Sequence, residues 1–272
     1  GYASGPTLKV AGSMGIPTLI QEQNSYAGVT NKLLAKKACK ICVAYEGMER
    51  FFDKGKIILT GNPVRQNLLN QQMSREDAIR SFNLDPTKKT VLIVGGSLGA
   101  RTINNCVLNG LDQIRQSGVQ FIWQTGKFYI NEAKEKVGQA ENYPMLHTTD
   151  FITDMAAAYS AADLVISRAG AGSISEFCLL GKPVILVPSP NVAEDHQTKN
   201  ALALVAKDAA LYIKDAEASE KLLKTAIETV QQPETLKKLS TNIAKLAFKD
   251  SANTIAEEVW KLALKYRENH EH

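Results

Sequence analysis

The feature that most limits how this 272-residue chain can fold is a recurring apolar run of strand length. "IPTLI" (16–20), "KICVAY" (40–45), "KIILT" (56–60), "TVLIVG" (90–95), "VQFIWQ" (119–124), "DLVIS" (163–167), "PVILVP" (183–188) and "ALYI" (210–213) are nearly continuous and mostly rich in β-branched residues, and "PMLHT" (144–148) is a weaker candidate. A strand with one wet face alternates polar and apolar residues. A continuous run suits a strand covered on both faces. Helical spacing fills the intervals, as with Ile103, Val107, Leu108, Leu111 and Ile114 after the run at 90–95. Strand and helix in alternation predict an α/β chain with doubly wound parallel sheets.

A boundary falls near "GNPVRQNLLNQQMSREDA", where Gly61, Asn62 and Pro63 stop a strand and a polar stretch follows. Residues 1–70 then form one Rossmann-like unit and 71–250 a second, larger one. Three strands bury little on their own, so strands preceding Gly1 are expected and the first unit reads as incomplete. The final stretch, 251–268, spaces Ile255, Val259, Leu262 and Tyr266 as one helical face. Its pattern leaves open whether it closes the nearer sheet or packs back on the first unit.

Composition excludes several classes. The net charge of +4 is small and spread out, which argues against nucleic acid as a partner. No apolar run reaches the ~18 residues of a membrane span. Cys39 and Cys42 make a lone C-x-x-C with no second pair, so they and Cys106 and Cys178 are expected to be structural thiols in a reducing cytoplasm. No D-x-D occurs, and no metal or cofactor is expected.

Two strand–glycine–helix junctions carry the chemistry. "VLIVGGSLGARTINN" offers Gly95, Gly96, Ser97 and Gly99, and "VISRAGAGSISEF" offers Gly170 and Gly172. At the carboxyl end of a parallel strand, such a turn presents the amides and positive dipole end of a helix to an anion. Neither is a Walker loop, and "GGSLGA" lacks the dinucleotide spacing. Glu176 has two readings: with Ser173 it matches the capping box S-x-x-E, or it accepts hydrogen bonds from a ribose diol. "VPSPNVAEDHQTKNA" brings His196 and Gln197 to another strand end, and "IQEQNSYAGVTNKLLA" repeats the strand–turn–helix design with Asn24 and Gly28.

Taken in order, "QEQN…AGVTNKLLA", "GNPVR", "GGSLGARTIN", "FITDMAAAYSAADLVISRAGAGSISE" and "GKPVILVPSP…DHQTKNA" resemble the MurG glycosyltransferase family over almost the whole chain. The resemblance implies a GT-B fold, two Rossmann-like domains facing across a cleft, with the last helix crossing back to the first. It implies an inverting transfer of N-acetylglucosamine from UDP-N-acetylglucosamine to the C4 hydroxyl of the undecaprenyl-linked muramyl-pentapeptide (lipid I) in peptidoglycan synthesis. The enzyme would lie peripherally on the cytoplasmic face of the bacterial plasma membrane. Position by position it puts Glu176 at the ribose, Ala171, Gly172 and Ser173 at the sugar and phosphate turn, Ser97 at the diphosphate, and Phe151 and Ile152 at the uracil. His196 and Gln197 fall near the sugar, and Arg65 and Asn24 reach the donor from the linker and the first unit. Leu98 and His196 depart from the family's usual glutamines. The general base is expected in a segment preceding Gly1, so this chain is expected to bind the donor but turn over slowly. A UDP-N-acetylglucosamine 2-epimerase and a non-catalytic nucleotide-sugar module are the alternatives.

Overall fold

A computed structural model describes residues 3–65, 67–70, 73–96, 99–138 and 142–270. In the first unit α1 (Ser4–Ser13), β1 (Leu19–Glu22), α2 (Val29–Leu34), β2 (Lys40–Val43) and β3 (Ile57–Leu59) build a parallel sheet of order β1-β2-β3. The short α3 (Asn67–Asn70) leads to α4 (Arg75–Ser81), β4 (Thr90–Val94), α5 (Arg101–Asn109), α6 (Leu111–Gln116), β5 (Gln120–Gln124), α7 (Ile130–Val137) and β6 (Leu146–Thr149). Then follow α8 (Met155–Ala161), β7 (Leu164–Ser167), α9 (Ala171–Leu180), β8 (Val184–Leu186), α10 (His196–Val205), β9 (Leu211–Tyr212), α11 (Ala218–Val230), α12 (Pro233–Ala244) and α13 (Ser251–Glu268). The second sheet is parallel throughout, in the order β6-β5-β4-β7-β8-β9.

Every apolar run named above contains or overlaps a strand, including the weak one at 144–148. The first is displaced: β1 begins at Leu19, because Pro17 has no N–H for a ladder bond. The pleat explains why the central runs are apolar throughout. Val91 and Ile93 of β4, with Phe121 and Trp123 of β5, face a core closed by α5, α6, α7 and α11. Leu92 and Val94, with Ile122 and Val165, face the opposite core under α4, α8, α9 and α10. Both faces are dry, so no polar alternation survives.

The two units meet across a polar seam. Asn200, fully buried on α10, accepts from the Ser25 amide at 2.9 Å and donates to Asn24 Oδ1 at 3.0 Å and the Ala169 carbonyl at 3.4 Å. Asn62 donates to Ser175 Oγ at 3.1 Å. Nearby, the buried Glu22 carboxylate accepts from the amides of Asn24 and Gly28 (3.0 Å each) and from Asn31 Nδ2 (2.8 Å), which fixes the turn into α2.

On α13 the half-covered residues are Thr254, Ile255, Glu258, Leu262, Leu264 and Tyr266. Val259, expected on the covered face, is instead 49% exposed, and Trp260 is 66% exposed. The covered stripe is rotated toward Glu258, whose charge is felt at Cys42 of β2. All four cysteines are free thiols; Cys42, Cys106 and Cys178 are buried and Cys39 is exposed. Burial pushes the thiols of Cys106 and Cys178 up to about 11 and about 12, so both are protonated at neutral pH.

Candidate active site

The order of the large sheet fixes where a ligand can enter. β4 and β7 are neighbours at its centre, with β5 and β6 laid outward on one side and β8 and β9 on the other. Beyond their carboxyl ends the following turns diverge and leave a gap. There lies a crevice of about 1020 Å³, walled by both glycine turns and by residues of the linker, β5 and α8.

Two helices start at this gap without a side-chain cap. The N-cap of α5 is Ala100 and that of α9 is Gly170; neither has a side chain that accepts a first-turn N–H. First-turn amides have no partner within a helix, so both starts carry donors and a partial positive charge. The glycines divide by role. Gly99 has φ +85°, and a Cβ there would stand 2.2 Å from the Thr125 carbonyl, so it serves the turn itself. A Cβ on Gly170 or Gly172 would meet nothing within 4 Å. Packing does not require glycine at these two positions, whereas close approach by a ligand would.

Glu176 lies in the second turn of α9. The helix begins at Ala171, so Ser173 is its third residue and no capping box forms. The carboxylate turns into the crevice instead. Oε1 accepts from Arg65 Nε at 3.0 Å, and Oε2 accepts from the Tyr159 hydroxyl at 2.7 Å. Burial and the neighbouring Glu176 charge push the Tyr159 pKa far up, so the phenol stays a donor. At the far end Phe151 is 55% exposed, an aromatic face open to the crevice. Ile152 beside it is buried, its amide 3.4 Å from Gln124 Oε1, while Gln124 Nε2 donates to the Gly96 carbonyl at 3.1 Å.

Arg168 stands behind the turn and binds it together. Its guanidinium donates to the carbonyls of Val187 (3.0 Å) and Pro188 (3.1 Å) and to Asp215. Asp215 also accepts from Thr102 Oγ1 at 2.9 Å, in the first turn of α5. One ion pair thus ties the starts of both helices to the exit of β8. Asn104 pins α5 from below, accepting from Trp123 Nε1 at 3.0 Å and donating to the Thr125 carbonyl at 2.8 Å.

Of the residues expected at the donor, Arg65, Phe151, Ile152, Gly172, Ser173, Glu176 and Gln197 line this crevice, and Ala171 lies between two lining residues. Gln197 has a framing task as well: its carbonyl oxygen accepts from the amides of Ser189 (2.9 Å) and Ala169 (3.2 Å). His196 and Asn24 are not among the lining residues. The His196 ring sits 3.6 Å from the Glu194 carboxylate and near Tyr26. Asn24 Oδ1 is taken by Asn200. Ser97 and Leu98 lie outside the described residues. Sequence reasoning missed Tyr159, Arg101, Thr102, Tyr129 and Asp215. The Thr102–Asp215 contact joins positions 113 apart, and no local pattern announces it.

Comparison with known proteins agrees with this geometry. Residues 90–255 match the glycosyltransferase family 28 C-terminal domain. Over 267 residues the chain is 82% identical to the UDP-N-acetylglucosamine--N-acetylmuramyl-(pentapeptide) pyrophosphoryl-undecaprenol N-acetylglucosamine transferase of Phocaeicola vulgatus, covering 98% of this chain and 71% of that one. The crystal structure of MurG from Acinetobacter baumannii superposes with a TM-score of 0.75 at 28% identity, over 96% of this chain and 72% of that one. The UDP-GlcNAc 2-epimerase of Neisseria meningitidis, solved with UDP-GlcNAc bound, gives a TM-score of 0.68 at 16% identity, over 93% and 72%, a likeness of fold alone. On its identity to the Phocaeicola vulgatus enzyme and its match to the family 28 domain, the chain belongs to the MurG family of GT-B N-acetylglucosamine transferases.

Proposed function

We propose that the crevice holds UDP-N-acetylglucosamine and that the chain transfers its sugar to the undecaprenyl-linked muramyl-pentapeptide, giving lipid II. The observation that carries this reading is the convergence of two uncapped helix starts on one gap, with an exposed aromatic ring at one end and a carboxylate on its wall. Phe151 would stack on uracil and the Ile152 backbone read its edge. Glu176 would accept hydrogen bonds from the ribose hydroxyls. The amides opening α5 and α9 would receive the diphosphate.

The same arrangement serves catalysis. In an inverting transfer the acceptor hydroxyl attacks as the nucleotide departs, and negative charge grows on the diphosphate. Preorganised amides aimed at that charge stabilise it more in the transition state than in the ground state. Arg168 and Asp215 hold both amide sets at fixed spacing. Arg65 supplies a positive charge at the same mouth.

The acceptor is membrane-bound, and the first unit offers a surface for that encounter. Val10, Met14, Val29 and Leu33, on or beside α1 and α2, are all more than half exposed, with Lys9, Lys36 and Lys37 among them. Among the described residues no helix is long and apolar enough to cross a membrane. We place this face against anionic lipid on the cytoplasmic side of the plasma membrane.

The deciding experiment supplies UDP-N-acetylglucosamine with and without a soluble lipid I analogue. Transfer predicts a disaccharide product and UDP release that depends on acceptor. Free N-acetylmannosamine formed without acceptor would instead assign the epimerase reaction. Nucleotide binding with neither product would assign a binding module.

A further inference from the structure

The face of α9 opposite the crevice borders a second cavity, of about 460 Å³. Gly172, Ser173 and Glu176 project on one side of the helix, and Ile174, Ser175 and Cys178 on the other. This cavity belongs to the seam. The first unit supplies Tyr45 and Leu59, the second supplies Cys178 and Leu204, and both chain crossings border it, Gly61–Asn62 on the way out and Leu246–Phe248 on the way back. The crossings touch: a Cβ on Gly61 would stand 2.4 Å from Cβ of Phe248.

Its chemistry is two-part. The wall is mainly apolar, and the volume falls in the range of small-molecule sites. The charges are unbalanced. Glu46 is paired with Lys207 at 2.8 Å across the seam. Arg50 donates to the Ser25 carbonyl and Lys245 to Asn242, and among the described residues neither has a carboxylate partner. The Tyr45 hydroxyl, kept protonated by burial, makes no hydrogen bond among the described residues. An apolar hollow with surplus cations and a spare donor fits one occupant class.

We propose that this cavity is a binding site for a single-chain anionic amphiphile, its tail among Tyr45, Cys178, Leu204 and Leu246 and its head at Arg50 and Lys245. Because both crossings border it, an occupant holds the two units in one relative orientation. The site is separate from the donor crevice and does not depend on what that crevice binds.

The test uses the full chain and dodecanoate below its micellar concentration. Calorimetry is expected to show saturable one-to-one binding, with dodecanol at least tenfold weaker. K245Q should lower dodecanoate affinity about tenfold, and A203W, which fills the hollow, should abolish binding. Both variants should keep the wild-type melting temperature and UDP affinity, which separates a lost site from a lost fold. Amide exchange at residues 60–62 and 246–248 should slow when dodecanoate is bound. No saturable binding, equal affinity for dodecanol, or undiminished binding to A203W would each overturn the assignment. Unchanged exchange at the crossings would overturn the orienting role.

Discussion

Arg65 and Glu176 approach each other from opposite walls of the crevice, with Nη2 of the guanidinium 2.9 Å from Oε1 of the carboxylate. One belongs to the linker between the units, the other to the helix that opens on the crevice. More than half of the Arg65 side chain is exposed, so the pair adds little to stability. Its meaning is positional: the carboxylate that would take the ribose is held in place before the ribose arrives.

Replacing Glu176 should therefore act on binding. Glu176→Ala is expected to weaken UDP-N-acetylglucosamine by about 1.5–3 kcal/mol, the range for hydrogen bonds to a charged group, since α9 does not use this side chain as a cap. Isothermal calorimetry measures the loss. An unchanged affinity would remove Glu176 from the donor site.

Gly172 separates fold from function more sharply. A methyl group there meets no neighbour, and alanine favours the helix, so Gly172→Ala should leave stability unchanged or raise it by about 0.4–1 kcal/mol. Nucleotide affinity should nonetheless drop at least tenfold, because the methyl would occupy the diphosphate's approach. Gly99→Ala should lose both, through its positive φ and the Thr125 carbonyl. Melting curves and UDP titrations on the two variants give the contrast.

Phe151 is exposed, so Phe151→Ala should change stability by no more than about 0.5 kcal/mol. If uracil stacks on the ring, donor affinity should fall by about 1–3 kcal/mol, the usual worth of one base on an aromatic face. UDP and UDP-N-acetylglucosamine should lose equally, since the contact is to the base.

Asn200→Ala addresses the seam. It strands the buried Ser25 amide and leaves Asn24 Oδ1 without its donor, and a loss of about 1–3 kcal/mol in denaturant unfolding is expected. A variant as stable as wild type would show that the Asn200 bonds contribute nothing to the folded state.

His147 supplies a pH test. Burial lowers its pKa below the ordinary 6.5, so the folded state resists protonation. Above 6.5 the ring is neutral in both states and makes no difference. As pH falls below 6.5 the unfolded chain takes up a proton that the folded ring refuses, and stability declines. The difference in melting temperature between pH 7.5 and 5.0 should be smaller in His147→Gln than in wild type.

Much of the fold is legible in the sequence because both faces of each central strand are dry, which makes the runs continuous and conspicuous. The glycine turns are legible for a similar reason: Gly99 answers a backbone demand that only one residue type meets cheaply. Three things are not legible. The start of α9 is one, because S-x-x-E at 173–176 mimics a cap two residues inside the real helix. The partners of Glu176 are another, since Tyr159 and Arg65 reach it from α8 and the linker. The seam is the third: Asn24 and Asn200 carry no local sign that each is the other's partner, 176 positions apart.

The central pairing of β4 with β7 joins segments separated by α5 through α8. Neither glycine turn meets the other until that long loop has closed, a costly and late event for a chain of this topology. Nucleotide affinity should thus emerge only with the last stage of refolding. Once present, it should act backwards: saturating UDP withdraws the completed sheet from the unfolding equilibrium and retards its opening as a unit.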